Sequence, residues 1–344
     1  YYQDLADQFN QENPNITVEV GFSSLYSAFY EDEVGKDVLL IPDFIFPAFI
    51  NQELIIPLDG LIQQDPDFPY DDFYSGMLDI YTRAGQSWAI PASADPYVFY
   101  YNKDLFDQAG VPYPKLDWNW DDFLNAAMGL RDPGTGIFGY GPTIIFGPDS
   151  DYLESVVFIY QHGGKILDDF KDPTYFVFDD PAAIEALNWY SNLFTLLDVA
   201  PTKAQVLESF GDYQNQSVYQ GIALERIAIW SGLLSDSGGQ SYLLAPWDFA
   251  IGVLPPPGDQ QPFYLVLSSA YVMTAESEHP EEAWQWIKFL TEKIGYGAYP
   301  VRRSVVQSKA FKDQVGAEIV EVVELIMEDA QYFPTELGDD IGRD

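Results

Sequence analysis

The stretch WAIPASADPYVFYYNKDLFDQAGV, residues 88–111, contains the clearest strand pattern of the 344-residue chain. Its centre, YVFYY at 97–101, is a run of aromatic and β-branched residues, which are enriched in strands. Helical and strand patterns alternate on either side of this run. That alternation predicts an α/β architecture.

Upstream of this strand, residues 2–11 have the pattern of a helix. Residues 16–20, ITVEV, alternate apolar and polar side chains and predict a half-buried strand. LLIPDFIF at 39–46 predicts a buried strand that runs into a proline-containing loop.

Downstream, Asn119 is a candidate cap for a helix that follows it, and Asp180-Pro181 opens another helix. Ile184, Leu187, Tyr190, Phe194 and Leu197 share one face of that second helix. IAIW at 227–230 predicts a strand. FAIGVLPPPG at 249–258 predicts a strand ending in a stiff, proline-rich connection.

The charge balance excludes several partners. The chain has 54 Asp and Glu against 16 Lys and Arg, a formal net charge of −38. Nucleic acids and anionic membranes are repelled by such a field, whereas a neutral ligand is indifferent to it and a cation is attracted. The same acidity keeps a surface soluble and is typical of a salty or acidic habitat.

Other composition features exclude several kinds of chemistry. Without cysteine there are no disulfides, thiolate nucleophiles or cysteine zinc sites. His162 and His279 are the only histidines, so a His-rich metal site is excluded, although carboxylate calcium sites are not. We expect no cofactor. No apolar run reaches the roughly 18–20 residues of a membrane span. The chain begins directly with YYQDLADQF, without a signal-peptide pattern, so we take it as processed or trimmed.

Together these segments resemble the family 1 extracellular solute-binding proteins, the group that includes the maltose-binding proteins. The resemblance follows the family's order from residue 1 to residue 305, and no single block is decisive. The blocks are YYQDLADQFNQENPNITVEV, GKDVLLIPDFIFPAFINQELIIPLDGLI, WAIPASADPYVFYYNKDLFDQAGV, LDWNWDDFLNAAMGL, YQHGGKILDD, DDPAAIEALNWYSNLF, ERIAIWSG, AIGVLPPPG, SSAYVMTAESEHPEEAWQWIKFLT and YPVRRSV.

The resemblance implies a type II periplasmic-binding-protein fold, in which each of two α/β lobes is a sheet flanked by helices. We expect ligand to lie in a cleft between the lobes, which close by hinge bending. The expected lobes are 1–94 plus 259–304 for lobe I and 95–256 plus 305–344 for lobe II, with crossings near 94–97, 255–258 and 303–307.

The resemblance further implies the extracytoplasmic substrate-binding component of an ABC importer, which delivers its ligand to the membrane permease. Such a protein is not an enzyme, and we expect a monomer in the periplasm or a cell-surface lipoprotein. Aromatic residues make up 16% of the chain. Their apolar faces, and the polar edges of Tyr and Trp, complement the CH faces and hydroxyl edges of sugars, so we expect a sugar or oligosaccharide.

Other functions stay open. The same fold binding a polyamine, or another cationic or neutral small solute, suits the net charge of −38. Ferric ion is less suited, because the adjacent Tyr100 and Tyr101 point to opposite faces of a strand. A glycoside hydrolase would need two carboxylates about 5–10 Å apart, and no local motif singles out such a pair. A surface adhesin would need an exposed apolar patch.

Twelve residues are candidates for ligand contact by their positions in the family pattern. They are Asp43, Phe44, Asp95, Tyr97, Tyr152, Trp230, Ser231, Ser268, Ser269, Tyr271, Tyr299 and Arg302. Several also have plainer interpretations: Asp43 as a turn cap, Asp95 as a solvated hinge carboxylate, and Arg302 as half of an ion pair. Tyr97 and Trp230 equally fit a packed core.

The resemblance also marks what differs from the family pattern. Members normally have a strand and a ligand-contacting loop before the first helix, and further helices after the position of Phe333. We expect these parts to lie outside the 344 residues or to be trimmed, and some ligand contacts with them.

Overall fold

A computed structural model describes the protein over residues 1–21, 36–142, 151–169, 173–177, 179–211, 217–239, 249–258, 263–293 and 299–332. Helices alternate with strands throughout, so the prediction of an α/β architecture is confirmed. The helices are α1 (Tyr2–Glu12), α2 (Phe46–Asn51), α3 (Asp59–Gln64), α4 (Ser75–Ile80), α5 (Lys103–Ala109), α6 (Trp120–Leu130), α7 (Asp151–Gln161), α8 (Pro181–Thr195), α9 (Lys203–Phe210), α10 (Ser217–Ala223), α11 (Pro280–Thr291), α12 (Arg303–Val306), α13 (Lys309–Val315) and α14 (Ala317–Glu328). The strands are β1 (Val38–Pro42), β2 (Thr82–Arg83), β3 (Gln86–Ser87), β4 (Ile90–Asn102), β5 (Phe138–Gly141), β6 (Ile227–Leu233), β7 (Ile251–Leu254), β8 (Tyr264–Met273) and β9 (Ala330–Gln331).

The chain packs as two units, neither of which is continuous in sequence. Unit 1 comprises Tyr1–Ala94, Val266–Gly316 and the chain from Ala330, and unit 2 comprises Asp95–Leu265 and Ala317–Asp329. The predicted hinge crossings remain predictions, because this division describes how the chain packs and not where it bends.

In unit 1, β1 pairs antiparallel with β8, from Val38 opposite Met273 to Pro42 opposite Ser269. The strand β9 also pairs with β8. After Pro42 the chain turns into a short 3₁₀ helix, Asp43–Ile45. Because β1 and β8 are antiparallel, this turn lies beside Ser268.

In unit 2, β4 is the central strand. It pairs antiparallel with β6, with Tyr97 opposite Leu233, and with β7, with Phe99 opposite Leu254. The strand β5 runs parallel to β6. The ring of the fully buried Phe99 lies within 6.5 Å, centroid to centroid, of the rings of Tyr97, Trp118, Trp120, Phe123, Tyr140 and Phe158. Much of the aromatic content of the sequence is therefore core packing.

A glycine sets the distance between α6 and β5. A Cβ built on Gly139 would lie 1.9 Å from the backbone carbonyl oxygen of Ala127. Real Cβ atoms do not approach backbone that closely, so the helix sits against the strand only because residue 139 has no side chain. The predicted start of α6 is confirmed, since Asn119 forms a reciprocal capping box with Asp122.

One element prediction is wrong. Residues 16–20 do not form a strand, because a helix side chain satisfies the backbone there: the Asn10 side chain accepts from Val18 N and donates to Val18 O. The helix predicted to begin at Asp180-Pro181 is confirmed as α8, on which Ile184 and Leu187 are 48% and 43% exposed. The residues of α8 that are buried are Ala183, Ala186 and Leu193.

Candidate functional site

Asp43 is the candidate carboxylate of unit 1, and it is buried. Its carboxylate accepts hydrogen bonds from the backbone N–H of Ser268 at 2.6 Å and from the Ser268 hydroxyl at 2.9 Å. Burial raises the pKa of Asp43 to about 7, although the bonds from Ser268 act in the opposite direction. The structure thus brings together two of the predicted contacts, and Ser268 also lies 2.8 Å from the Tyr81 hydroxyl.

Three further candidates in unit 1 lie on the same strands or the turn after them. Ser269 is half-buried and pairs with Pro42 across the ladder. Phe44 is 38% exposed at the turn. Tyr271 is buried, with its hydroxyl 3.4 Å from the hydroxyl of Tyr2.

Arg302 and Tyr299 flank Pro300. The Nε of Arg302 donates to the Asp72 carboxylate at 2.8 Å, and both side chains are largely enclosed. The Arg302 guanidinium and the Ser304 hydroxyl hold the pKa of Asp72 below its usual range despite partial burial. The ion-pair alternative therefore describes Arg302 in this structure. The backbone of Tyr299 pairs with that of Ala94, and the Tyr299 ring lies half-buried.

In unit 2, Asp95 accepts hydrogen bonds from the backbone N–H of Ser235 at 2.9 Å and from its hydroxyl at 2.5 Å. Ser235 belongs to the short 3₁₀ helix Leu234–Gly239 that follows β6. Desolvation raises the pKa of Asp95 to about 6. The residue as a whole is half-buried, and each oxygen of its carboxylate accepts one of the two hydrogen bonds from Ser235.

The second polar centre of unit 2 surrounds Glu154, which is 3% exposed in the first turns of α7. Oε1 accepts from the hydroxyls of Tyr140 at 2.6 Å and Tyr190 at 2.7 Å. Oε2 accepts from the hydroxyls of Ser231 at 3.0 Å and Tyr97 at 3.4 Å. We call these five residues the Glu154 cluster. Desolvation raises the pKa of Glu154 to about 7 against the effect of the four hydrogen bonds.

Two of the predicted contacts, Tyr97 and Ser231, thus come together inside the Glu154 cluster. Trp230 does not join them, because it is fully buried and its ring stacks on that of Tyr100 at 5.7 Å. Tyr152 lies on α7, two residues before Glu154, but its side chain is outside the described part of the structure.

Sequence reasoning missed Glu154, Tyr140 and Tyr190. The signal was present in α7: Glu154, Phe158 and Gln161 are spaced three or four residues apart, which places an acid on the same helix face as an apolar side chain. An acid on an apolar helix face is a candidate for a buried, hydrogen-bonded carboxylate.

In each unit, taken by itself, carboxylates accept hydrogen bonds from hydroxyl groups. The donors are hydroxyls and backbone N–H groups for all three enclosed carboxylates, Asp43, Asp95 and Glu154. Within the described residues, no group of three or more His, Asp or Glu side chains is arranged to hold a metal ion. In the same part of the chain, no helix is long and apolar enough to cross a membrane.

Comparisons with known proteins bear on the chain as a whole. The family model described as "Bacterial extracellular solute-binding protein" matches residues 1–296. A putative binding protein of Brucella abortus (strain 2308) is 24% identical over 312 residues, which are 85% of this chain and 69% of that protein. The arabinooligosaccharide-binding protein of Halalkalibacterium halodurans is 25% identical over 246 residues, 67% of this chain and 51% of that protein. Among solved structures, the sugar-binding protein MalE of Xanthomonas citri superposes with a TM-score of 0.79 at 17% identity, over 99% of this chain and 85% of that one.

Proposed function

Because the chain belongs to the bacterial extracellular solute-binding proteins, we propose that it is the substrate-binding component of an ABC importer. In this role it captures a sugar or oligosaccharide outside the cytoplasm and delivers it to the membrane permease. The family match over residues 1–296 is the observation that carries the proposal.

The choice of a sugar is supported by chemistry and by relatives. The arabinooligosaccharide-binding protein is similar over two thirds of the chain. Asp43 and Asp95 already accept hydrogen bonds from serine hydroxyls, the kind of bond that sugar hydroxyls donate. Aromatic abundance supports the sugar less than the composition suggested, because so many rings are packed in the core of unit 2.

Exposure separates the proposed contacts into two groups. Phe44, Asp95, Ser269 and Tyr299 are partly exposed, and we propose that they touch ligand directly. The enclosed candidates are proposed to support these contacts: Asp43, Tyr97, Trp230, Ser231, Ser268 and Tyr271, together with the ion-paired Arg302. Tyr152 is proposed as a stacking ring.

The remaining parts of the proposal follow from the family. Its members bind substrates and are not enzymes, and we propose that this chain likewise catalyses no reaction and acts as an exported monomer. The two units are proposed to correspond to the two lobes that close on the ligand.

A polyamine is the second candidate ligand, favoured by the net charge of −38. The two candidates separate in a thermal-shift screen of monosaccharides, oligosaccharides and polyamines. A ligand at 100 times its Kd, binding only the folded state, adds about 2.7 kcal/mol of stability. We expect at least one sugar to raise Tm.

The screen needs a salt control, because a polyamine also associates unspecifically with an acidic surface. Each hit is therefore repeated at high salt, which screens unspecific surface attraction more than contacts in an enclosed site. If only polyamines raise Tm at both salt concentrations, the sugar proposal is wrong. Release of product from an oligosaccharide on long incubation would instead indicate a glycoside hydrolase.

A further inference from the structure

Burying the carboxylate of Glu154 is unfavourable in free energy. The four partners that its carboxylate contacts are all neutral hydroxyls, and none is a cation. Removing a carboxylate from water without a cationic partner costs several kcal/mol, and well-packed apolar residues of similar volume are often equally or more stabilising. Overall stability is therefore a poor explanation for an acid at this position.

What the carboxylate does supply is a fixed geometry. A carboxylate offers about four acceptor sites, and here all four are used by hydroxyls from β4, β5, β6 and α8. One side chain of α7 thereby ties that helix to four other elements of unit 2. A fully satisfied buried network of this kind rigidifies its surroundings and specifies one arrangement.

The arrangement concerns residues already proposed to form the ligand site. Tyr97 and Ser231 are direct partners of Glu154. Tyr152 lies on the same helix two residues earlier, and Asp95 lies two residues before Tyr97 on β4, on the same face of the strand.

We infer that Glu154 is a positioning residue of the ligand site in unit 2, whose carboxylate fixes Tyr97, Ser231 and the first turn of α7 in the arrangement that binds ligand. The inference rests on the proposed solute-binding function. Glu154 is not one of the twelve residues expected to contact ligand. Its inferred role is to hold those residues in place rather than to bind ligand itself.

The variant Glu154→Gln tests this role with little change of shape. The amide retains one acceptor oxygen, but its NH₂ group donates, so two of the four hydroxyls lose their acceptor and must turn to accept instead. Hydroxyls can rotate in this way, which favours a folded protein with an altered site. Glu185→Gln, an exposed position on α8 in the same unit, is the matched control.

The first measurement is the affinity for the best sugar of the thermal-shift screen, by calorimetry at pH 5.5 and pH 8. We expect Glu154→Gln to bind at least about 10-fold more weakly than wild type at pH 8, equivalent to about 1.4 kcal/mol, and Glu185→Gln to bind like wild type. Burial raises the pKa of Tyr97 and of Tyr140 well above the usual tyrosine range, so these two members of the cluster stay protonated at both pH values. The other two side chains that face Glu154 are Tyr190 and Ser231. Asp236 accepts a hydrogen bond from the hydroxyl of Tyr219, which is a neighbour of Tyr97.

Asp43 and Asp95 titrate over the same pH range, so the diagnostic is the difference between wild type and variant. Loss of Glu154 should remove part of the pH dependence of affinity. A variant with wild-type affinity and a wild-type pH profile would overturn the inference.

A second measurement needs no ligand. The near-ultraviolet circular dichroism of tyrosine should change between pH 5.5 and pH 8 in wild type, and this change should be smaller in Glu154→Gln but not in Glu185→Gln. Identical spectral changes in all three proteins would show that Glu154 does not order these rings. Absence of any binding by wild type would instead count against the proposed function, so the two failures are distinguishable.

Discussion

Two buried carboxylates of the described structure, Asp43 and Glu154, are held by serine and tyrosine hydroxyls and a backbone N–H group rather than by cations. Asp43 accepts both hydrogen bonds that Ser268 can donate, from its backbone and from its side chain, at 2.6 and 2.9 Å. Ser268 is itself buried, so removing the carboxylate takes away the acceptor of its backbone N–H and leaves its hydroxyl with the Tyr81 hydroxyl as partner. The contact fixes the turn after β1 against β8 at one residue pair.

We expect Asp43→Ala to lower the free energy of unfolding by about 1–3 kcal/mol, the usual cost of leaving buried donors without an acceptor. Urea denaturation measures the change. Asp67→Ala, an exposed acid of the same unit, is the control and should change stability by less than about 0.5 kcal/mol. If both variants are equally stable, the bonds from Ser268 contribute no net stability.

At the scale of elements, helix α6 and strand β5 are positioned by the absence of a side chain. Gly139 leaves no room for a Cβ beside the carbonyl oxygen of Ala127. Backbone on both sides of the contact means that neither partner can yield by changing a rotamer. The helix would have to move away from the strand.

We expect Gly139→Ala to destabilise unit 2 by about 1–3 kcal/mol or more, the range found for overpacked cores. Gly60 lies in α3. Gly60→Ala is the control, because a Cβ at this position would meet no atom within 4 Å. It should stabilise by about 0.5–1 kcal/mol, since alanine is the better helix former. Two variants that change Tm in the same direction would contradict this account of the contact.

The elements that the sequence predicts correctly are those with local causes. Capping by Asn119, the proline at the start of α8 and the aromatic run of β4 all act within a few residues. The strand expected at 16–20 fails because its backbone is satisfied by Asn10, a partner that periodicity does not reveal. The same limit applies to the site: Tyr140 and Tyr190 meet Glu154 through the fold, not through sequence spacing.

For the whole molecule, the family predicted from collinear blocks is confirmed by the match over residues 1–296. Collinearity succeeds where single motifs do not, because it sums weak signals along the chain. The environment of a single side chain cannot be predicted in this way. Whether Trp230 faces ligand or core depends on a strand that is distant in sequence, on which Tyr100 stacks against it.

The three enclosed acids predict how stability depends on pH. Burial raises their folded pKa values above the ordinary carboxyl range, to about 7 for Asp43 and Glu154 and to about 6 for Asp95. The unfolded chain therefore releases these protons first, and stability falls as pH rises from about 4 to about 7. Acids whose pKa is lowered, such as Asp72, act in the opposite direction only below about pH 4.

Urea denaturation at fixed ionic strength between pH 4 and pH 8 measures this dependence. We expect a decline across that window and a shallower one in Glu154→Gln, because the variant lacks one of the three carboxyl groups whose pKa is raised by folding. Stability that rises from pH 4 to pH 7 would show that these groups are not raised in the folded protein.

The net charge of −38 predicts a strong dependence on salt. Screening shortens from about 10 Å at 0.1 M to about 3 Å at 1 M, so repulsion among surface carboxylates falls steeply over that range. We expect Tm to rise between 0.1 and 2 M NaCl, by about 2 °C or less for each kcal/mol of repulsion removed, because the change in Tm per kcal/mol falls with chain length. Sucrose, an uncharged stabiliser, is the control; an equal effect of sucrose and salt at matched water activity would mean that charge is not the cause.

The pairing of β1 with β8 has a consequence for synthesis on the ribosome. Pro42 pairs with Ser269, so β1 emerges more than 200 residues before its partner exists. At about 5–20 residues per second, the apolar segment LLIPDFIF waits for at least ten seconds without a neighbouring strand. Unit 2 is nearly complete by Leu265 and can form first, whereas unit 1 must be finished last. The pairing of β1 with β8 can therefore form only after the chain has been synthesised as far as residue 273.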